Sequence, residues 1–165
     1  MADSETNLSR ISSASVECVL IGDFAAILHG AWDFPLLQVV EFCAPLGFEN
    51  LQRIANALEG TNPRHRDQIR EIPFELERHR SGLNNLYLMT DLGPVDFLGI
   101  IPGIGDYAFA KSHSLNARLP SGDILVLDRP TLIRAKEHAG RPRDLLVVGQ
   151  LRAIEEALSK DKPTS

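Results

Sequence analysis

The sequence predicts an α+β domain: a mixed β-sheet flanked by helices and finished by a C-terminal helix pair. Three observations carry that prediction. Strand-type and helix-type apolar patterns alternate along the first part of the chain. Two short linkers, Asp91-Leu92-Gly93-Pro94 and Pro120-Ser121-Gly122, each join a pair of strand-like runs as a hairpin. Two helical patterns then follow one another from Asp128 onward.

In chain order, a short helix is expected around Asn7 to Ser13, then a strand from Glu17 to Ile21, where Cys18, Val19, Leu20 and Ile21 form a continuous apolar run that stops at Gly22. Asp23 reads as the N-cap of a helix from Phe24 to Leu28, and Gly30 after His29 offers a residue tolerant of positive φ. A loop holding Trp32, Asp33 and Pro35 leads to a strand from Gln38 to Cys43. Its period places Val39, Glu41 and Cys43 on one face and Val40 and Phe42 on the other. Leu51, Ile54, Ala55 and Leu58 mark an amphipathic helix ended by Gly60, whereas Thr61 to Arg80 is charged and weakly periodic and reads as a mobile loop.

The first hairpin pairs Leu86 to Thr90 with Val95 to Ile100, and the Pro102 to Gly105 stretch then breaks the chain before a helical turn at Tyr107 to Ala110. The second hairpin pairs Ser114 to Leu119 with Asp123 to Leu127. The final helices run from Pro130 to Ala139, with Gly140 as the terminator, and from Asp144 to Leu158, with Leu145, Val148, Leu151, Ile154 and Leu158 as the apolar stripe.

Composition limits the function classes. The 165 residues, 44% of them hydrophobic, suit one domain over 1–165 with a core of its own, residues 1–6 and 160–165 being expected to fray. A mean hydropathy of -0.07 with 24% charged residues excludes a disordered chain or a coiled coil. The net charge of -5 gives no global footprint for nucleic acid or anionic membrane. No apolar run is long enough to span a bilayer and the N-terminus lacks signal-peptide character, so a cytoplasmic protein is expected. Cys18 and Cys43 each lie in an apolar segment and read as buried free thiols.

Three groups of residues bear on chemistry. The turn Leu20-Ile21-Gly22-Asp23 either brings a backbone close to a phosphate or is simply a strand-to-helix turn with a capping Asp. Lys136 follows Leu132 by four and Ile133 by three, so it shares the apolar face of its helix and points toward the sheet, a placement tolerated when its ammonium reaches an anion or the cleft water. Arg141 and Arg143 beside Asp144 either pair with that carboxylate or hold a phosphate. The histidines 29, 65, 79, 113 and 138 show no metal spacing, and His29 at a helix end reads as a donor to backbone carbonyls. No nucleophile elbow or Walker loop is present.

The segments VLIGDFAAILHG, TDLGPVDFLGII and LIRAKEHAGRPRDLLVVGQL, in this order, resemble the nucleotidyltransferase-fold superfamily, and in particular its small bacterial single-domain members related to abortive-infection and toxin–antitoxin pairs. The resemblance runs from about Asn7 to Ile154. It implies a Gly-Gly or Gly-Ser pair where this chain has Gly22-Asp23, an Asp-x-Asp pair near Leu37 and Val39, and a third carboxylate at Asp96, together holding two magnesium ions. Leu37 and Val39 are apolar, so magnesium is expected to bind weakly or not at all, with Asp96 the one retained ligand and a displaced site of Asp23, Glu41 and Asp96 the fallback. The resemblance further implies that Lys136, Arg141 and Arg143 hold nucleotide phosphates or brace the cleft. The expectation is therefore a nucleotidyltransferase-like protein with a degenerate metal site, binding a nucleoside triphosphate or a protein partner rather than catalysing. The alternative is an active magnesium-dependent enzyme moving a nucleotidyl group onto a hydroxyl, with Asp96 and Glu41 as ligands. Asp96 is expected beside the Leu37 to Glu41 segment, with Lys136 as its partner.

Overall fold

A computed structural model describes residues 3–32, 39–66 and 69–162. Ten strands and six α-helices follow one another in these residues. The first half contains α1 (Ser4–Ser13), β1 (Val19–Ile21), α2 (Gly22–Leu28), β2 (Val40–Cys43), α3 (Phe48–Ala57), β3 (Arg64–His65) and β4 (Ile72–Pro73). The second contains β5 (Asn85–Thr90), β6 (Gly93–Leu98), β7 (Ile100–Ile101), β8 (Gly105–Asp106), α4 (Tyr107–Ser112), β9 (Ser114–Leu119), β10 (Gly122–Leu127), α5 (Arg129–Ala139) and α6 (Pro142–Lys160). Eight strands form one mixed sheet in the order β4-β3-β5-β6-β2-β1-β10-β9, and β7 and β8 form a small separate hairpin. The α+β class with a mixed sheet and a C-terminal helix pair is the class the sequence predicts. No described helix is long and apolar enough to cross a membrane.

At the centre of the sheet β1 runs antiparallel to β2, and β2 parallel to β6. Register then sorts the side chains. Leu20, Phe42, Phe97 and Leu86 stand in one row, all at most 1% exposed, and Phe42 stacks on Phe97 at 5.3 Å between ring centroids. The next row on the opposite face runs Ile21, Glu41, Asp96, Tyr87 and is where the charges collect. Helix α1 covers the apolar face: the amide of buried Asn7 donates to Thr90 Oγ1 and to the Gly93 carbonyl, both at 3.2 Å. Thr90 in turn receives the Leu92 N–H and donates to Gly93, which fixes the β5–β6 turn.

Several boundaries differ from the sequence reading, each for a local reason. Helix α1 starts at Ser4 and not near Asn7, because Asp3 caps it by accepting the Thr6 N–H. Glu17 and Cys18 stay outside β1: the Glu17 N–H and C=O are both spent on the side chain of Asn50, at 2.9 and 3.0 Å, and not on a neighbouring strand. The first hairpin turns on Asp91-Leu92 alone, since Gly93 and Pro94 already pair in β6, and the strand ends at Leu98 before β7 begins. Gly99 makes that break, where a Cβ would meet the Asn84 carbonyl at 2.5 Å. The stretch read as a mobile loop from Thr61 to Arg80 contains β3, β4 and a 3-10 turn at Leu76–His79, held by backbone pairing of Arg64 with Met89 and His65 with Leu88. Two-residue strands leave no periodicity to read.

Helix α6 supplies the largest correction. Its buried residues are Asp144, Val147, Val148 and Leu151, while Leu145 and Leu158 of the expected stripe are about half exposed, at 51% and 48%. The helix is rotated so that Asp144 faces inward to the ammonium of Lys136. The two cysteines are free and buried as expected, and burial pushes both thiols up to about 12, which keeps them protonated and unreactive. His29 behaves as read, its Nε2 lying 2.7 Å from the Leu127 carbonyl.

Asn50 is the joint between α3 and the chain entering β1, since its amide also donates to the Pro45 carbonyl at 2.7 Å. Asn50→Ala is expected to cost about 1–3 kcal/mol, because the Glu17 N–H is left without an acceptor. Urea unfolding followed by circular dichroism measures it, and a change under about 0.5 kcal/mol, the size of an ordinary surface substitution, would reject the role of the joint.

Candidate active-site cleft

The cleft opens where β1 ends. Gly22 has φ of +70°, which favours glycine, and a Cβ there would lie 2.0 Å from Glu41 Oε2, so any side chain at this position would push the carboxylate aside. Glu41 comes from β2 directly across from Ile21, and Asp96 from β6 directly across from Glu41. Helix α5 closes the other side. Ile21, Gly22, Glu41, Lys136, Arg141 and Asp144 are among the residues that line a cleft of about 90 Å³.

Lys136 is 6% exposed although it carries a charge, and its Nζ lies 2.6 Å from Asp23 Oδ1 and 3.5 Å from Asp144 Oδ1. Arg143 pairs with the second oxygen of Asp23. Arg141 engages Asp144 with two nitrogens, Nε at 2.6 Å and Nη2 at 3.3 Å. Burial acts to raise the Asp144 carboxyl, but the Arg141 hydrogen bond and the charges of Lys136 and Arg141 outweigh it and hold the group below the ordinary aspartate range. The same pairing, with Asp144 as hydrogen-bond acceptor and counter-charge, raises the Arg141 guanidinium.

Two of these placements correct the sequence reading. Asp23 is not a cap: the helix starts at Gly22 with Ile21 in the cap position and no side-chain cap bond, and the Asp23 carboxylate is turned to Lys136 and Arg143. Lys136 is not the partner of Asp96. That role belongs to Arg66, whose Nη2 donates to Asp96 Oδ2 at 2.8 Å and whose guanidinium sits 5.9 Å over the Tyr87 ring. Asp96 Oδ1 lies 2.8 Å from the same Nη2, and Arg66 Nη1 is buried and makes no hydrogen bond among the described residues. Arg66 was missed in the sequence because its only cue is long-range: its N–H bonds the Tyr87 carbonyl, and Tyr87 is the register neighbour of Asp96.

Asp96 borders the Leu37 to Glu41 segment as expected, through the pairs Val95–Val40 and Asp96–Glu41. Val39 immediately precedes β2, and Leu37 lies outside the described residues. Gly22, Glu41, Lys136 and Arg141 line one cleft, Asp23 and Arg143 adjoin it through the ion pairs Lys136–Asp23 and Asp23–Arg143, and Asp96 adjoins it through Glu41.

Burial raises the Glu41 carboxyl above its ordinary range, the nearby Asp96 and Asp23 add to the rise, and the charges of Lys136 and Arg141 oppose it. Burial also raises Asp96, with the Arg66 bond and charge opposing.

The resemblance implies magnesium here, and the described residues do not fit it. Among the described residues no group of three or more acidic, histidine or cysteine side chains is arranged to hold a metal ion, and Asp23, Asp96 and Asp144 each already carry a cation. No protein-family model matches the chain, and no curated protein is significantly similar to it.

Two outcomes follow. Lys136→Met leaves buried Asp144 and partly buried Asp23 without their shared ammonium and is expected to lower stability by about 3–5 kcal/mol, read as a fall in the urea midpoint. Glu41 has the opposite sense. A carboxyl whose folded pKa is raised withdraws stability as pH climbs past its unfolded value of about 4.3 and through the folded one. Glu41→Gln is therefore expected to match the parent near pH 4 and to exceed it at neutral pH. Equal stability of the two across that range would show that the fold does not raise the Glu41 carboxyl.

Proposed function

We propose that the chain is a nucleotidyltransferase-like domain whose cleft binds the phosphate portion of a nucleotide and that has given up metal-dependent transfer. The observation that carries this reading is the cation group at the mouth of the cleft. Lys136, Arg141 and Arg143 converge on it from α5, the α5–α6 junction and the first turn of α6. Arg141 and Arg143 keep their guanidinium groups at the surface, with side chains 71% and 60% exposed, so each has N–H donors to offer an incoming anion.

The alternative, an active magnesium enzyme with Asp96 and Glu41 as ligands, is favoured by their side-by-side register and opposed by Arg66 on Asp96. A binding assay with a fluorescent nucleoside triphosphate tests the reading. Arg143→Met is expected to weaken binding by about 1–3 kcal/mol, the worth of a hydrogen bond to a charged group, while leaving the fold intact, because this side chain is largely in water. Unchanged affinity would remove Arg143 from the site. Magnesium-dependent release of pyrophosphate by the parent would establish the enzyme instead, and absence of any nucleotide binding would favour a domain that recognises only a partner chain.

A further inference from the structure

We infer that the cleft carries its own counter-ions, Arg66 on Asp96 and Lys136 with Arg141 and Arg143 on Asp23 and Asp144, and takes a phosphate group without a divalent metal. This rests on the reading of the cleft as a phosphate site.

The charge count decides against a metal. Among the described residues, the carboxylates in and beside the cleft are Asp23, Glu41, Asp96 and Asp144, and the cations are Arg66, Lys136, Arg141 and Arg143. Four face four, so even with every carboxyl ionised there is no excess negative charge to draw a hard cation. Magnesium sheds its water reluctantly and does so for anionic oxygens. To obtain the Asp96 oxygens it must first displace Arg66, whose Nη1 is already buried without a hydrogen-bond partner among the described residues. The displaced guanidinium then has no carboxylate, which is the costly half of breaking a buried pair. Asp23 and Asp144 are held more firmly still, each by two cations.

The same count leaves donors for an anion. Lys136 has three N–H bonds to give and donates one hydrogen bond to Asp23, with Asp144 at the looser 3.5 Å. Arg141 uses Nε and Nη2 and keeps the rest of its fork. An entering phosphate group is met by the N–H donors that Lys136 and Arg141 do not spend on the aspartates, so the existing ion pairs stay in place and no carboxylate is stripped of its cation. The cleft size sets how much of the ligand goes in. A space of about 90 Å³ exceeds the roughly 10–15 Å³ needed by one water and falls short of the roughly 300 Å³ at which drug-sized pockets begin. A phosphate group enters. A sugar and base stay outside it.

The test uses the full chain with inorganic triphosphate and with ATP, each titrated calorimetrically once in EDTA and once in excess magnesium. Affinities agreeing within about twofold in the two buffers are expected, and affinity about tenfold or more weaker in EDTA would overturn the inference while leaving the nucleotide reading standing. Failure of both ligands in both buffers would remove the nucleotide reading, and the inference with it. A separate arm titrates Mn²⁺ alone, followed by electron paramagnetic resonance. The parent is expected to show no saturable Mn²⁺ binding, and saturable binding would overturn the inference directly. Arg66→Met, once circular dichroism shows a native fold, is expected to gain Mn²⁺ binding because Asp96 is freed beside Glu41, whereas Arg66→Lys, which keeps the charge, is not. A folded Arg66→Met chain that gains none would show that Arg66 does not stand in for a metal.

Discussion

The ammonium of Lys136 organises this molecule. It is buried among apolar neighbours on α5, a placement tolerated only with anionic oxygens in reach, and Asp23 and Asp144 supply them from two different elements. Three helices are thereby tied at one point: α2 through its first turn, α5 through the lysine, and α6 through Asp144. The rotation of α6 follows. If the helix buried Leu145 in place of Asp144, the lysine would lose a counter-charge and Arg141 its bidentate partner. A more apolar stripe was available in the sequence, and the electrostatics of one buried lysine outweigh it.

The sheet meets the same demand in a different way. Its register puts Phe42 against Phe97 on one side and Glu41 against Asp96 on the other, so a single strand pair supplies both the centre of the core and the acidic wall next to the cleft. A shift of one residue would place carboxylates under α1 and phenylalanines among the charges. The apolar side fixes the register strongly, and the position of Glu41 relative to Gly22 is set by packing on the face where neither residue lies.

What could be read from the sequence divides along the same line. The hairpins, the buried strand before Gly22, the Gly140 terminus and the inward direction of Lys136 were legible because each depends on period or on a residue with distinctive backbone preferences, and Gly140 does sit at φ of 67°, which glycine adopts freely. The partners of the charges were not. Asp23 looked like a cap because an Asp after a strand usually is one, and nothing local reveals that the helix has already begun. Arg66 was invisible because its meaning depends on β3 joining β5, a contact made by two residues with no pattern of their own. Lys136 needed an anion, and sequence chose Asp96 where the fold supplies Asp23 and Asp144. Composition indicates that charges must be paired, and only topology says with which.

The parallel contact between β1 and β10 has a consequence for how the molecule assembles. Val19 pairs with Leu125 and Leu20 with Val126, so one side of the first strand of the sequence is completed by the second and last of the long hairpins to be made. Until β9 and β10 arrive, β1 has partners on its β2 side only, and the apolar run Val19 to Ile21 presents open backbone groups on the other. Contacts that join distant parts of a chain pay their loop-closure entropy before they return any stability. Completion of this sheet therefore belongs late in folding, and a ribosome-bound chain that has not yet released the second hairpin holds an unfinished edge that is open to other strands.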